Sequence, residues 1–176
     1  PDADAGEHVL LPLLGAIGES GIDLLMLSHR DSDHVGGAAA LLAALPVTAI
    51  SSSLEAAHPL LQAAPPHRRC EAGQRWQWDG VAFEVLHPTA QDYARRHRPN
   101  AMSCVLRVQA GDASLLLSGD IEAEQEAALV AAHGDALRSE LLVVPHHGSR
   151  TSSSAALLDA VQPRVAVIQA GYRNRF

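Results

Sequence analysis

Apolar positions along the chain keep two spacings, and the switches between them outline the elements. Val9, Leu10, Leu13, Leu14 and Ile17 recur at helical intervals, with stop signals at Gly18 and Gly21, so residues 7–20 are predicted to form an amphipathic helix. A continuous apolar run then predicts a strand over 23–28, followed by an Ala/Leu helix over 38–45 that ends before Pro46, a second strand over 47–51 and a short helix over 54–63. Residues 64–69, with Pro65 and Pro66, read as a linker between layers. Strands over 75–78 and 81–86 flank Asp79-Gly80, a hairpin signal because Gly tolerates the positive φ of a tight turn. Trp76, Trp78 and Phe83 would give that hairpin a satellite core, with an aromatic base-stacking platform as the alternative. His87-Pro88 ends the strand, and 88–99 is a polar loop carrying Arg95, Arg96, His97 and Arg98, a candidate contact for an anionic substrate, with a solvated basic loop as the alternative. A second hairpin pairs 102–109 with 114–118; a helix, a strand over 141–144, a helix from about 155 and a strand over 165–168 complete the chain. Strands alternating with helices define an α/β class, and 176 residues fit one domain, 1–176, with a substantial core.

The chemistry collects where strands end. Ser28 to Gly37 reads Ser-His-Arg-Asp-Ser-Asp-His-Val-Gly-Gly and follows the first strand directly. Two carboxylates and two imidazoles crowded there repel one another or lose hydration unless cations or dense hydrogen bonding compensate, and divalent metals do that best. His29, Asp31 and Asp33 alternate, so an extended chain would lean them to one side while His34 turns to the other, and one loop can feed two neighbouring ions. The alternative is an Asx turn with Asp33 as a helix cap. Gly36 and Gly37 let the backbone come close before the next helix.

The same design recurs twice. Leu115-Leu116-Leu117 runs into Ser118-Gly119-Asp120, which sets a carboxylate at a sheet edge. The apolar run 141–144 runs into Pro145-His146-His147-Gly148-Ser149, where one imidazole can coordinate while its neighbour acts on substrate or supports the ligand. Ser149, Arg150, Thr151 and Ser152 then lead into a helix, and their N–H groups, hydroxyls and guanidinium suit an anion cradle, with simple N-capping as the alternative. Glu122, Glu124 and Glu126 are assigned to the positive end of their helix and given no chemistry.

Composition modifies this picture in four places. A net charge of −7 argues against a broadly basic nucleic-acid surface, yet Asp31, Asp33 and Asp120 belong to the proposed site, where two divalent ions would offset more than half of it. Every cation is Arg, which suits bidentate phosphate contact; a compositional bias explains it equally well. No run approaches the ~18 apolar residues of a membrane span, so this segment is not expected to insert into a bilayer, and its opening without Met reads as an excised piece of a longer protein. Cys70 and Cys104 lie too far apart for a Cys-x-x-Cys motif and are read as free thiols, with a single disulfide as the alternative.

Taken together, Asp4-Ala5-Gly6, the string from Leu27 to Gly37, Asn100 through Ser103, Leu117 to Glu122, Pro145 to Ser149 and Gly171 to Phe176 resemble the metallo-β-lactamase superfamily. Within it they look most like the C-terminal domain of the ComEC/Rec-type DNA-internalisation channels of bacterial competence. The resemblance implies a four-layer αββα sandwich, here without the first strand hairpin, and a metal centre along one sheet edge. It also implies His29 and Asp31 on one ion, Asp33 and His34 on the other, Asp120 bridging, and the His-His segment completing the shell, with His146 as ligand and His147 on the substrate. The family's usual second His is Asp31 here, and its central His ligand is replaced by Asn100 and Ser103, which are placed with the substrate. Such an oxygen-rich set favours Mn²⁺, with Zn²⁺ second.

The implied activity is two-metal phosphodiester hydrolysis of DNA, degrading the strand that is not imported. Asp33 would orient or deprotonate the attacking water, and His147 or Arg150 would neutralise a phosphate oxygen. The parent would be a multi-pass protein of the bacterial inner membrane, working with the remaining uptake machinery, and this domain its soluble, extracytoplasmic part. Two other readings compete: hydrolysis of an ester, thioester or lactam on the same scaffold, and a non-catalytic DNA-guiding domain.

Overall fold

The computed structural model describes residues 4–62, 65–95 and 97–171. Ala63 and Ala64, Arg96 of the basic loop and residues 172–176 of the C-terminal string lie outside the described residues, as do residues 1–3. The chain divides into two compact units, Pro1–Arg69 and Cys70–Phe176.

The first unit contains α1 (Leu11–Ala16), β1 (Ile22–Leu27), α2 (Ser32–Val35), α3 (Ala38–Ala44), β2 (Val47–Ser52), α4 (Pro59–Gln62) and β3 (His67–Arg69). β1 and β2 pair in parallel, Leu24 opposite Ala49 and Leu27 opposite Ser52, so the chain must cross back between them, and the loop with α2 and α3 is that crossover. Leu27, Ala38, Ile50 and Leu54 form the buried core, flanked by Leu25, Val35, Leu42 and Leu60. Gly6 meets Gly37 backbone to backbone: a Cβ on Gly6 would lie 2.1 Å from the Gly37 carbonyl oxygen. Only a glycine pair permits that approach.

Three expectations for this unit change. The first helix opens with a π turn (Gly6–Leu10) and α1 ends at Ala16, and its apolar stripe faces solvent, with Val9 57%, Leu13 54% and Ile17 63% exposed. The helix expected over 54–63 is a single turn that starts at Pro59, whose ring denies an N–H to any earlier turn. The stretch read as a linker contains β3, which pairs in parallel with β2 and gives its edge the partner that buried backbone requires.

The second unit holds β4 (Arg75–Trp78), β5 (Val81–His87), β6 (Val105–Ala110), β7 (Ala113–Leu117), α5 (Ala123–His133), β8 (Leu141–Val143), α6 (Ala155–Val161) and β9 (Val165–Val167). They build a six-stranded sheet in the order β4-β5-β6-β7-β8-β9. Both expected hairpins form: Asp79 (φ 48°) and Gly80 (φ 82°) turn the first, with Trp78 opposite Val81. Cross-strand partners Trp76 and Phe83 stack with centroids 5.1 Å apart, so the hairpin packs on itself while Trp78 stays 46% exposed. The second hairpin's first strand begins at Val105, because Asn100–Met102 turns as a 3-10 helix closed by the Ser103 N–H on the Asn100 carbonyl. β7, β8 and β9 run parallel with α5 and α6 as crossovers. Leu86, Val105, Leu116, Ile121, Leu129, Leu137, Leu142, Leu157 and Val161 form the core.

This register decides where functional side chains arrive. Leu117 lies opposite both Leu106 and Val143, so the segments that follow β7 and β8 and the one that precedes β6 meet at one sheet edge. Cys70 and Cys104 are not free thiols. They form a buried disulfide with Cα atoms 6.2 Å apart, a proximity that a sequence separation of 34 does not disclose. Among the described residues no helix is long and apolar enough to cross a membrane.

Candidate metal centre

Two clusters carry the expected chemistry, one in each unit. In the first, His29 leaves the end of β1 fully buried, while Arg30 points to solvent and pairs with Glu55 at 2.8 Å. Asp31 is extended (φ −68°, ψ 147°), but the backbone turns helical at Ser32, so the predicted alternation stops there and Asp33 and His34 ride on α2. Asp33 is therefore inside the helical turn, and the cap position belongs to Asp31, whose side chain makes no capping hydrogen bond.

Ser28, at the end of β1, orients both rings. Its hydroxyl lies 3.1 Å from His29 Nδ1 and 3.0 Å from His34 Nδ1, and its two lone pairs can accept an Nδ1–H from each ring, which leaves both Nε2 atoms with a lone pair. The Nε2 atoms turn toward carboxylates, His29 toward Asp31 at 3.5 Å and His34 toward Asp33 at 3.8 Å. An imidazole held at Nδ1 by a protein oxygen, with Nε2 facing a carboxylate, is the arrangement that serves a metal ligand. The signal for Ser28 was its place beside His29, at a strand end.

In the second unit, Asp120 follows β7 and is 5% exposed. His147 Nε2 lies 3.5 Å from its carboxylate, and His147 Nδ1–H donates to the Gln169 carbonyl at 2.8 Å. With its proton on Nδ1, the ring presents a lone pair to a carboxylate, a gap suited to a cation. His146 Nδ1 lies 3.4 Å from Glu122 and 3.2 Å from Thr151 Oγ1, and its Nε2 lies 3.3 Å from Asn100 Nδ2. Both histidines hold left-handed backbone (φ 48° and 54°), each at a cost of about 1–3 kcal/mol for a residue with a Cβ.

Several residues expected to touch substrate instead build this edge. Ser103 is fully buried, and its hydroxyl accepts the Asp120 N–H at 2.9 Å, so it supports that carboxylate's backbone. Ser149 is 7% exposed, Thr151 Oγ1 donates to Glu122 at 2.9 Å, and Ser152 Oγ donates to the Pro145 carbonyl at 2.9 Å. The N–H groups read as an anion cradle have partners already: Ser152 N–H donates to Ser149, Ser153 and Ser154 N–H to Glu126, and Leu157 N–H to the Ser154 hydroxyl, which caps α6. Arg150 remains exposed and Asn100 partly so. Glu122 and Glu126, assigned no chemistry from sequence, are the anchors of this loop; their i, i+4 spacing, from the N-cap into the first turns of α5, was the available signal.

Ser103 is itself braced by His87, whose Nδ1–H donates to its carbonyl at 2.9 Å. Burial holds the His87 pKa below the usual 6.5, outweighing the Ser103 carbonyl and Asp92, which pull it up, while His97 adds to the lowering. The unfolded imidazole takes a proton more readily, so this contribution is complete above pH 6.5 and is lost as pH falls below it toward the folded value. His67, lowered by burial, acts in the same window. Asp92 is held below 3.8, where the Thr89 hydroxyl and N–H, His87 and His97 overcome its burial, so its contribution is lost only in stronger acid. Thermal melts from about pH 7.5 to about pH 5.5 should therefore show the wild type losing more stability than His87→Gln. Equal losses would refute this account of His87.

A family model of the metallo-beta-lactamase superfamily matches residues 2–172, a span that runs through both units. Competence protein ComA of Neisseria gonorrhoeae is 43% identical over 172 residues, 98% of this chain and 23% of that protein. Recombination protein 2 of Haemophilus influenzae is 38% identical over 173 residues, 96% of this chain and 20% of that protein. The chain thus spans about a quarter or less of these relatives' length. A metallo-β-lactamase with a HARLDQ motif from Cronobacter sakazakii superposes with a TM-score of 0.58 at 18% identity, covering 90% of this chain and 76% of that one, a likeness of fold. With its α/β elements, its strand-end histidines and carboxylates, and a family match over nearly its whole length, the chain belongs to the metallo-β-lactamase superfamily.

Proposed function

We propose that the chain is the metal-dependent nuclease domain of a competence-type DNA-uptake protein, and that its two clusters supply ligands for divalent ions. The observation that carries this reading is the common orientation of His29, His34 and His147, each with Nδ1 beside a protein oxygen and Nε2 toward a carboxylate. His29, Asp31, Asp33 and His34 of the first cluster and Asp120 of the second would hold the ions. The Asp120 contact supports moving His147 into the ligand set, and His146, which meets Glu122 and Asn100, then takes the substrate role first given to its neighbour. Carboxylates match the imidazoles in number, and such hard donors favour Mn²⁺, then Zn²⁺. Bound divalent ions would supply Lewis acidity and bring the pKa of water near neutrality.

Asp33 orients the attacking water and takes its proton. Asn100 and Arg150 contact the phosphate, where a guanidinium can bond two oxygens at once. Likeness to Competence protein ComA over 98% of the chain supports DNA as substrate, one strand of an incoming duplex, with the rest of a membrane-embedded parent and its uptake machinery as partners. The buried Cys70–Cys104 disulfide supports an extracytoplasmic position, since such bonds persist in oxidising compartments.

Protein stripped with a chelator should leave plasmid DNA intact, cleave it when Mn²⁺ is restored, and cleave it more slowly with Zn²⁺. Hydrolysis of ester, thioester or lactam probes without DNA cleavage would overturn the substrate assignment. Metal uptake and DNA binding with no hydrolysis at all would establish a DNA-guiding domain.

A further inference from the structure

Glu126 is fully buried on α5, and both its oxygens are used on backbone: Oε1 accepts the Ser153 N–H at 2.5 Å and Oε2 the Ser154 N–H at 2.7 Å. A buried carboxylate is costly unless its oxygens are bonded, and charge-assisted bonds of this kind are about twice as strong as neutral ones. At the N-cap of the same helix Glu122 accepts the Thr151 hydroxyl, and the Ala123 N–H donates to the Thr151 carbonyl at 3.0 Å. The Ser152 hydroxyl reaches back to the Pro145 carbonyl. Helix α5 thereby grips the far end of the loop, and the grip is passed back to where His146 and His147 begin.

The gripped loop needs holding. His146, His147 and Ser153 all have positive φ (48°, 54° and 61°), a conformation that persists in residues with a Cβ only where neighbours over-determine it. In this segment His147 Nε2 is brought to 3.5 Å from Asp120. We propose that Glu126 is a positioning residue: by clasping Ser153 and Ser154 it fixes the turn that aims His147 at Asp120, and so sets the affinity of the centre for its divalent cation. This rests on the metal-centre reading above.

The test is Mn²⁺ binding by calorimetry to chelator-stripped protein, at a temperature where circular dichroism shows every variant folded. Glu126→Gln is nearly isosteric and keeps one acceptor, and should weaken Mn²⁺ binding by about 10–100-fold; Glu126→Ala should weaken it at least as much. Leu129→Ala removes buried core from the same helix without touching the clasp, and should lower Tm while leaving Mn²⁺ affinity near that of the wild type. Wild-type affinity in Glu126→Gln overturns the inference and leaves the metal centre standing. An equal loss in Leu129→Ala also overturns it, since stability alone would then explain the effect. Failure of the wild-type protein to bind Mn²⁺ overturns both. Should Glu126→Ala not fold, Glu126→Gln decides.

Discussion

Asp33→Asn is expected to slow Mn²⁺-dependent DNA cleavage by about 10²–10⁴-fold, the range for loss of a positioned proton acceptor, while the protein stays folded and still binds DNA. The Asp33 side chain is 58% exposed on the first turn after the extended Asp31, so the change costs little packing. Asn keeps the shape and one acceptor oxygen but carries no charge and takes no proton, which separates chemistry from architecture. Single-turnover cleavage across a Mn²⁺ series checks this. A rate restored by excess Mn²⁺ would reduce Asp33 to a ligand alone, and a wild-type rate throughout would remove it from the mechanism.

Replacing both Cys70 and Cys104 with Ala should destabilise the protein by about 3–4 kcal/mol, the chain-entropy value for a loop of this length, and lower Tm by roughly 10 °C. The bond joins the segment before β4 to the residue after Ser103, whose hydroxyl holds the Asp120 backbone. Loosening it thus acts on the second cluster as well as on the fold. Thermal unfolding of wild type with and without reductant, beside the double variant, measures the effect. A wild-type Tm unmoved by reductant would contradict the disulfide and withdraw the support it gives to an oxidising compartment.

The strand-end clusters were legible because their cause is local. An apolar run that stops at His29, Asp120 or Pro145 announces a strand tip, and crowded ionisable side chains there are costly without a function. Hairpins were legible for a similar reason, since Asp79-Gly80 dictates its own turn. What was missed depends on register between distant segments. β3 exists because β2 has an edge, and nothing within 67–69 announces a strand. Cys70 and Cys104 meet because β6 starts beside the end of β5, and Ser103 is buried for the same reason. The Ser/Thr run after His147 looked like an anion site since hydroxyls and N–H groups are donors in any setting; the acceptor of the Ser153 and Ser154 N–H groups, Glu126, sits on α5, some 27 residues earlier in the chain. The apolar stripe before β1 has helical spacing yet stays exposed, because periodicity reveals a face and not what lies against it.

The contact of Gly6 with Gly37 is backbone against backbone, with no rotamer between them to take up slack. Any larger residue at either position would push the two segments apart and displace the start of α3.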